Sequence, residues 1–208
     1  MSKSKQYVNL WTKQIEFLDA TESIKGFVGG QGSGKSYIGA YDLLKRVKPN
    51  RLYMVTAPTY KVLRDSTCRS FDEVARLCGV LRKPVGGEAF HAFVAPFEGG
   101  TAEILFRSTE NPEMLRGPNL SGVWMDEASL SDIDAYRILI ARLREAGEFG
   151  WLTATFTPKG MTHWTYEELA TGKENTCLIK ARTRDNPFLS EAFVEQLLRT
   201  FVGLIGLQ

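Results

Sequence analysis

The sequence predicts a doubly wound α/β fold, a mainly parallel sheet layered between helices. Three observations carry this. Short runs of β-formers alternate with segments of helical apolar spacing along the chain. One strand-to-helix junction holds Gly29-Gly30-Gln31-Gly32-Ser33-Gly34-Lys35-Ser36, a glycine-rich turn of the kind such sheets place at strand ends. The 208 residues, 43% hydrophobic and 24% charged, suit one large domain with a substantial core.

Taken in order, residues 7–20 mix aromatics with Lys13 and Gln14 and predict a helix. Ile24-Lys25-Gly26-Phe27-Val28 reads as a short buried strand, and residues 37–47 carry apolar side chains at 37, 38, 41, 44 and 47, helical spacing. Residues 51–58 form a β-rich strand stopped by Pro58. Residues 59–79 follow as a helix, with Val62, Leu63, Phe71, Val74, Ala75 and Leu77 as its apolar set. Residues 88–97 and 101–106 flank Glu98-Gly99-Gly100 and read as a β-hairpin added antiparallel at the sheet edge. Leu120 to Met125 is an apolar strand; residues 131–146 are a helix capped by Ser131 and closed by Gly147. Residues 151–156 and 176–183 are further strands, residues 164–170 a helix, Asp185-Asn186-Pro187 a turn, and residues 190–202 a last helix capped by Ser190.

Composition excludes several classes. No apolar run approaches the ~20 residues of a membrane span, and Met1-Ser2-Lys3-Ser4-Lys5 is not followed by a signal-peptide core. Cys68, Cys78 and Cys177 are odd in number and lack metal spacing, which points to reduced thiols inside a cell. With His91 and His163 as the two histidines, a structural zinc site is not expected. The net charge of +2 says little. Its distribution is uneven, basic in the first hundred residues and acidic after them, and either a nucleic-acid face or ordinary solvation accounts for so modest an excess.

The motifs carry the chemistry. Residues 29–36 match G-x-x-x-x-G-K-[ST] between a strand and a helix, a phosphate-binding loop. Its glycines aim backbone N–H groups at one point at a helix N-terminus, which favours an anion. Lys35 would reach the β- and γ-phosphates and Ser36 would give its hydroxyl to Mg²⁺. A strand ending in Asp126-Glu127 supplies what hydrolysis adds: Asp126 to hold the metal through its water, Glu127 to orient and deprotonate the attacking water. Arg116 sits in a flexible stretch 11 residues before Glu127 and is either a finger for the γ-phosphate or a loop arginine in a surface pair. Gln14 either reads an adenine edge or is a surface amide. Thr155 and Thr157 either sense the γ-phosphate or are β-formers. Lys61, Arg64, Arg69 and Arg76 either meet phosphates or line a solvated helix face.

Together these segments resemble the N-terminal ATPase domain of the large terminase subunit of tailed bacteriophages. The matching stretches are residues 29–36, Thr56-Ala57-Pro58-Thr59-Tyr60-Lys61, Leu115-Arg116-Gly117, residues 123–128, residues 153–160 continuing to His163-Trp164-Thr165-Tyr166, and Asp185-Asn186-Pro187-Phe188. They occur in the family's order and cover most of the chain. The resemblance implies a RecA-like P-loop NTPase three-layer sandwich with an antiparallel hairpin addition. It implies an ATPase core over residues 1–183 and a lid or linker over 184–208. The activity it implies is Mg²⁺-dependent ATP hydrolysis that pulls double-stranded DNA into a procapsid. Lys35 and Ser36 take the Walker A roles with Gly29, Gly30, Gln31, Gly32, Ser33 and Gly34 around the phosphates. Asp126 takes the Walker B metal role and Glu127 that of the catalytic base. Arg116 is the finger, offered in trans, Thr153-Ala154-Thr155 the coupling segment, and Gln14 the adenine reader. The implied partners are a homo-oligomeric ring, a pentamer when assembled, DNA, the portal and the small terminase subunit, in the cytoplasm of an infected bacterium. Family members continue into a nuclease domain; the chain ends at Gln208, so DNA cutting is not expected of it. Rival readings are a helicase-like ATPase, a small-molecule kinase and a nucleotide-gated module without turnover.

Overall fold

The computed structural model describes residues 8–80, 82–85, 88–97 and 100–201. Tyr7, the polar N-terminus, Glu98-Gly99 of the expected hairpin turn and Val202 lie outside the described residues.

Eight strands form one sheet. They are β1 (Ile24–Gly29), β2 (Leu52–Ala57), β3 (Arg82–Val85), β4 (Glu88–Phe97), β5 (Gly100–Ser108), β6 (Gly122–Asp126), β7 (Trp151–Phe156) and β8 (Thr176–Ala181). Their order is β3-β4-β5-β2-β6-β7-β1-β8. The six from β5 to β8 pair in parallel, and β3 and β4 are added antiparallel. The helices are α1 (Thr12–Asp19), α2 (Lys35–Arg46), α3 (Tyr60–Val62), α4 (Cys68–Leu77), α5 (Ile133–Arg142), α6 (Trp164–Leu169) and α7 (Glu191–Phe201). None among the described residues is long and apolar enough to cross a membrane.

The central strands are apolar on both sides because both sides are covered. Alternate residues explain the two cores. Tyr53, Val55, Phe106 and Trp124 pack with Leu43, Leu44, Phe71 and Val74 under α2 and α4. Met54, Val123, Met125 and Leu152 face the other way, toward Leu139 of α5 and Trp164 of α6. A third cluster, Trp11, Phe17, Phe27, Ile38 and Ile179, seats α1 beside β1 and β8.

Four elements depart from the sequence reading. β5 is not merely a hairpin arm: it pairs in parallel with β2, Leu52 opposite Glu103, so the addition begins at β4. β3, which contains Pro84, is an extra strand pairing only with β4 in the sheet order, the edge position proline tolerates. The helix of residues 59–79 is capped by Thr59, whose Oγ1 accepts from Val62 N (3.1 Å), but is broken by a π-turn at Leu63–Thr67. The helix expected from Ser131 to Ala146 is shorter. Asp132 caps it by accepting from Asp134 N (2.8 Å), while the Ser131 hydroxyl is taken by Thr109 (2.6 Å). It stops because the Glu145 carboxylate is drawn to the start of β2, where it accepts from Leu52 N (3.1 Å) and from the Ser121 hydroxyl.

Candidate active site

Register assembles the site. Phe27 of β1 stands opposite Thr155 of β7, and Thr155 opposite Asp126 of β6. The carboxyl ends of these three neighbouring strands are therefore level. The loop after β1 and the acid pair after β6 emerge together, across one intervening strand.

The loop is compact. Gly32 and Gly34 take left-handed φ of 76° and 78°, conformations that glycine adopts without a Cβ penalty. Gly34 is also the residue before the first turn of α2. The Gly30 carbonyl accepts from the Ser33 hydroxyl (2.8 Å) and from Lys35 Nζ (3.2 Å). The lysine thus lies folded over the loop, and its Nζ is 3.9 Å from Glu127 Oε1.

Asp126 is fully buried and held by three hydroxyls. Ser36 Oγ (3.0 Å) and Thr155 Oγ1 (2.7 Å) donate to Oδ1, and Thr67 Oγ1 (2.8 Å) donates to Oδ2. Trp124 Nε1 donates to Thr155 Oγ1 (2.9 Å), which leaves the threonine proton for the carboxylate. Burial pushes the Asp126 pKa up, and the three hydroxyls oppose it only in part. Among the described residues no three His, Cys, Asp or Glu converge on a metal position. One hydroxyl beside one carboxylate is instead the donor set of a hard cation that keeps its waters, and Mg²⁺ fits it.

Glu127 adopts φ 47°, ψ 42°. A left-handed glutamate costs about 1–2 kcal/mol, and such strain gathers at functional sites. The turn separates its carboxylate from that of its neighbour: Asp126 is sealed, whereas Glu127 keeps 25% exposure. Burial raises the Glu127 pKa, Lys35 pulls it down, Asp126 pushes it up, and the balance is upward.

The other residues singled out from sequence divide. Gln14 is buried against the loop: its Nε2 donates to Gly34 O (3.3 Å) and its Oε1 accepts from Trp11 N (3.4 Å). Thr153 lies deeper along β7 than Thr155, and its hydroxyl donates to Asp42 of α2. Ala154 between them faces the opposite core. Lys61, Arg64, Arg69 and Arg76 are exposed. Arg116 is elsewhere. It follows the 3-10 turn Pro112–Leu115, 57% exposed and paired with Glu113 (2.5 Å). Its carbonyl accepts from Arg142 Nη1 (3.1 Å), and Arg142 O accepts from Leu120 N (2.8 Å), just before β6 begins. Arg116 is thus anchored toward the amino ends of the strands, while the loop caps their carboxyl ends.

Sequence reasoning missed three contributors. Thr67 interrupts the apolar stripe of Leu63, Phe71 and Val74; a hydroxyl at an inward position was the available signal. Asn186 Nδ2 donates to Gly32 O (2.7 Å) and Thr183 Oγ1 to Gln31 O (2.8 Å). A Cβ on Gly32 would lie 3.2 Å from Leu189 and Phe193. This strap grips the loop's outward carbonyls, so its N–H groups stay turned inward. Nothing local in residues 183–193 announces a partner about 150 positions earlier.

Comparison with known proteins agrees with this architecture. The family model described as phage terminase large subunit matches residues 21–200. The PBSX phage terminase large subunit of Bacillus subtilis (strain 168) is 29% identical over 217 residues, covering 92% of this chain and 46% of that protein. The large terminase of a thermophilic bacteriophage, solved in complex with ADP, superposes with a TM-score of 0.78 at 18% identity, over 90% of this chain and 49% of that one. The large terminase ATPase domain of Thermus phage P74-26 gives 0.69 at 19% identity, over 93% and 86%. These two likenesses show the fold, that of a P-loop NTPase. The chain spans about half the length of the curated relative it matches, and by the family match over most of its residues it belongs to the phage terminase large subunits.

Proposed function

We propose that this chain is a Mg²⁺-dependent ATPase that hydrolyses ATP to ADP and phosphate and drives double-stranded viral DNA into a procapsid. One observation carries the ATPase reading: Lys35, Ser36, Asp126 and Glu127, from two strands 90 residues apart in sequence, meet at one strand end. The ADP held by the full-length thermophilic phage terminase and the ATPase domain named for P74-26 support it. Packaging rests on the family.

Each residue has a role in this reading. The loop amides of residues 29–34 bind the phosphates, and Lys35 leaves the Gly30 carbonyl for the β- and γ-phosphate oxygens. The metal, once bound, neutralises charge on those oxygens. Ser36 and Asp126 hold it, the serine proton staying on Oδ1. Glu127, with a raised pKa and partial exposure, accepts a proton from the attacking water. Gln14 braces Gly34 and stands beside the position where a base would lie. Arg116, anchored far from its own loop, serves the γ-phosphate of a neighbouring copy in a pentameric ring. Thr155 reports the state of Asp126 along the segment Thr153-Ala154-Thr155. Residues 1–183 act as the core and the remainder as a lid. DNA, portal and small terminase subunit are the partners, in the host cytoplasm.

The test is a pair of variants. Lys35→Ala is expected to lose ATP binding by calorimetry, and Glu127→Gln to keep binding while phosphate release stops. Unchanged affinity in the first contradicts the loop assignment; near-normal release in the second removes Glu127 as the base.

A further inference from the structure

We propose that Thr67 is a positioning residue for the metal site, fixing the Asp126 carboxylate so that Oδ1 is presented to Ser36. This rests on the ATPase reading above and extends it to a residue outside the recognised motifs. Thr67 is fully buried, and its hydroxyl donates to Oδ2 at 2.8 Å while Ser36 and Thr155 share Oδ1. A carboxylate gripped through one oxygen can still swing about its Cβ–Cγ bond. Gripped through both, it presents a fixed edge to the serine. Supporting groups of this kind change metal affinity by about 10–100-fold when removed.

The backbone points the same way. Thr67 closes the π-turn Leu63–Thr67, in which Cys68 N bonds back to Leu63 O. π-turns are rare, less stable than regular helix and frequent at functional sites. This one sits at the residue that reaches Asp126, 59 positions away. The same helical stretch begins at Thr59, the cap that follows β2, and turns Lys61, Arg64 and Arg69 to the surface. A shift of this arm would therefore be felt at the metal site through one hydroxyl.

The test uses the full chain, Mn²⁺ and ATPγS. Free Mn²⁺ is read by electron paramagnetic resonance, nucleotide affinity without metal by calorimetry, and folding by thermal unfolding. Thr67→Val keeps the shape and removes the donor; it is expected to weaken Mn²⁺ binding about tenfold while metal-free nucleotide affinity stays within about twofold. Thr67→Ser keeps the donor and is expected to stay within about threefold of the original chain. Thr67→Ala carries the expectation of the valine variant should that one not fold. Unchanged Mn²⁺ affinity in Thr67→Val, or equal losses in the valine and serine variants, overturns the proposal and leaves Thr67 as packing. An original chain that binds neither nucleotide nor Mn²⁺ overturns the ATPase reading itself, and this proposal with it.

Discussion

The ion pair beneath the loop gives a sharp energetic test. Lys25 of β1 and Asp42 of α2 are both about 1% exposed, with Nζ 2.9 Å from Oδ1. Lys25 also donates to Phe17 O (2.9 Å) and lies 4.4 Å from the Phe17 ring centre. Asp42 has two further partners, the Thr153 hydroxyl and Arg46 Nε at 3.4 Å. Burial outweighs Asp42 and drives the Lys25 pKa down, so the ammonium depends on its one carboxylate. Asp42→Asn removes that carboxylate and leaves two cations facing each other, at a cost of about 3–5 kcal/mol. For a chain of this size that lowers Tm by roughly 8–16 °C, at ~2–4 °C per kcal/mol. Lys25→Met leaves Asp42 still paired with Arg46 and is expected to cost less, about 1–3 kcal/mol. The double variant Lys25→Met/Asp42→Leu buries no unpaired charge and is expected to be more stable than Asp42→Asn. Urea unfolding, read as midpoints at constant m, measures all three. If Lys25→Met costs as much as Asp42→Asn, or the double variant costs the sum of the singles, the account of this pair is wrong.

Three further outcomes are expected. A mixture of Arg116→Ala and Glu127→Gln chains should regain phosphate release that neither variant has alone, because each shared interface can pair one intact finger with one intact base; a mixture no better than its parts removes the trans role. Asn186→Ala strips the donor from Gly32 O and should weaken ATP binding about 5- to 10-fold, from ~1–1.4 kcal/mol, in a titration with a fluorescent analogue; unchanged affinity would mean that the strap does not order the loop. The pKa of Asp126 is raised above the ordinary 3.8, so its contribution to stability is complete below that value and lost as pH rises through the raised one. Asp126→Asn should therefore melt higher than the original chain at about pH 8, with the gap closing toward about pH 4; parallel curves, or a less stable variant at the alkaline end, would show the buried charge to be fully compensated.

Much of this protein is written in local patterns. The phosphate loop between strand and helix, the Asp-Glu pair at a strand end and the alternation of elements depend on neighbours in sequence, where spacing and turn chemistry act directly. The limits of elements were less legible where a distant group intervened. Ser131 lost its capping role to Thr109, and Glu145 left its helix for the amide of Leu52, because buried hydroxyls and strand-end amides must be satisfied by whatever the fold brings within reach. Local spacing also could not show β5 joining the parallel sheet beside β2, since pairing is decided between strands and not within one.

By itself the sequence determined which residues could bind phosphate, metal and water, since backbone amides at a helix start and acids at a strand end act through chemistry carried by a few adjacent positions. Only the tertiary structure decided who supports them. Thr67 reaches Asp126 from 59 positions upstream, Asn186 holds Gly32 from 154 positions downstream, and Arg116 is turned away from its own loop. The physical reason is that a hydrogen bond depends on distance and direction in space, and strand register and helix packing set both.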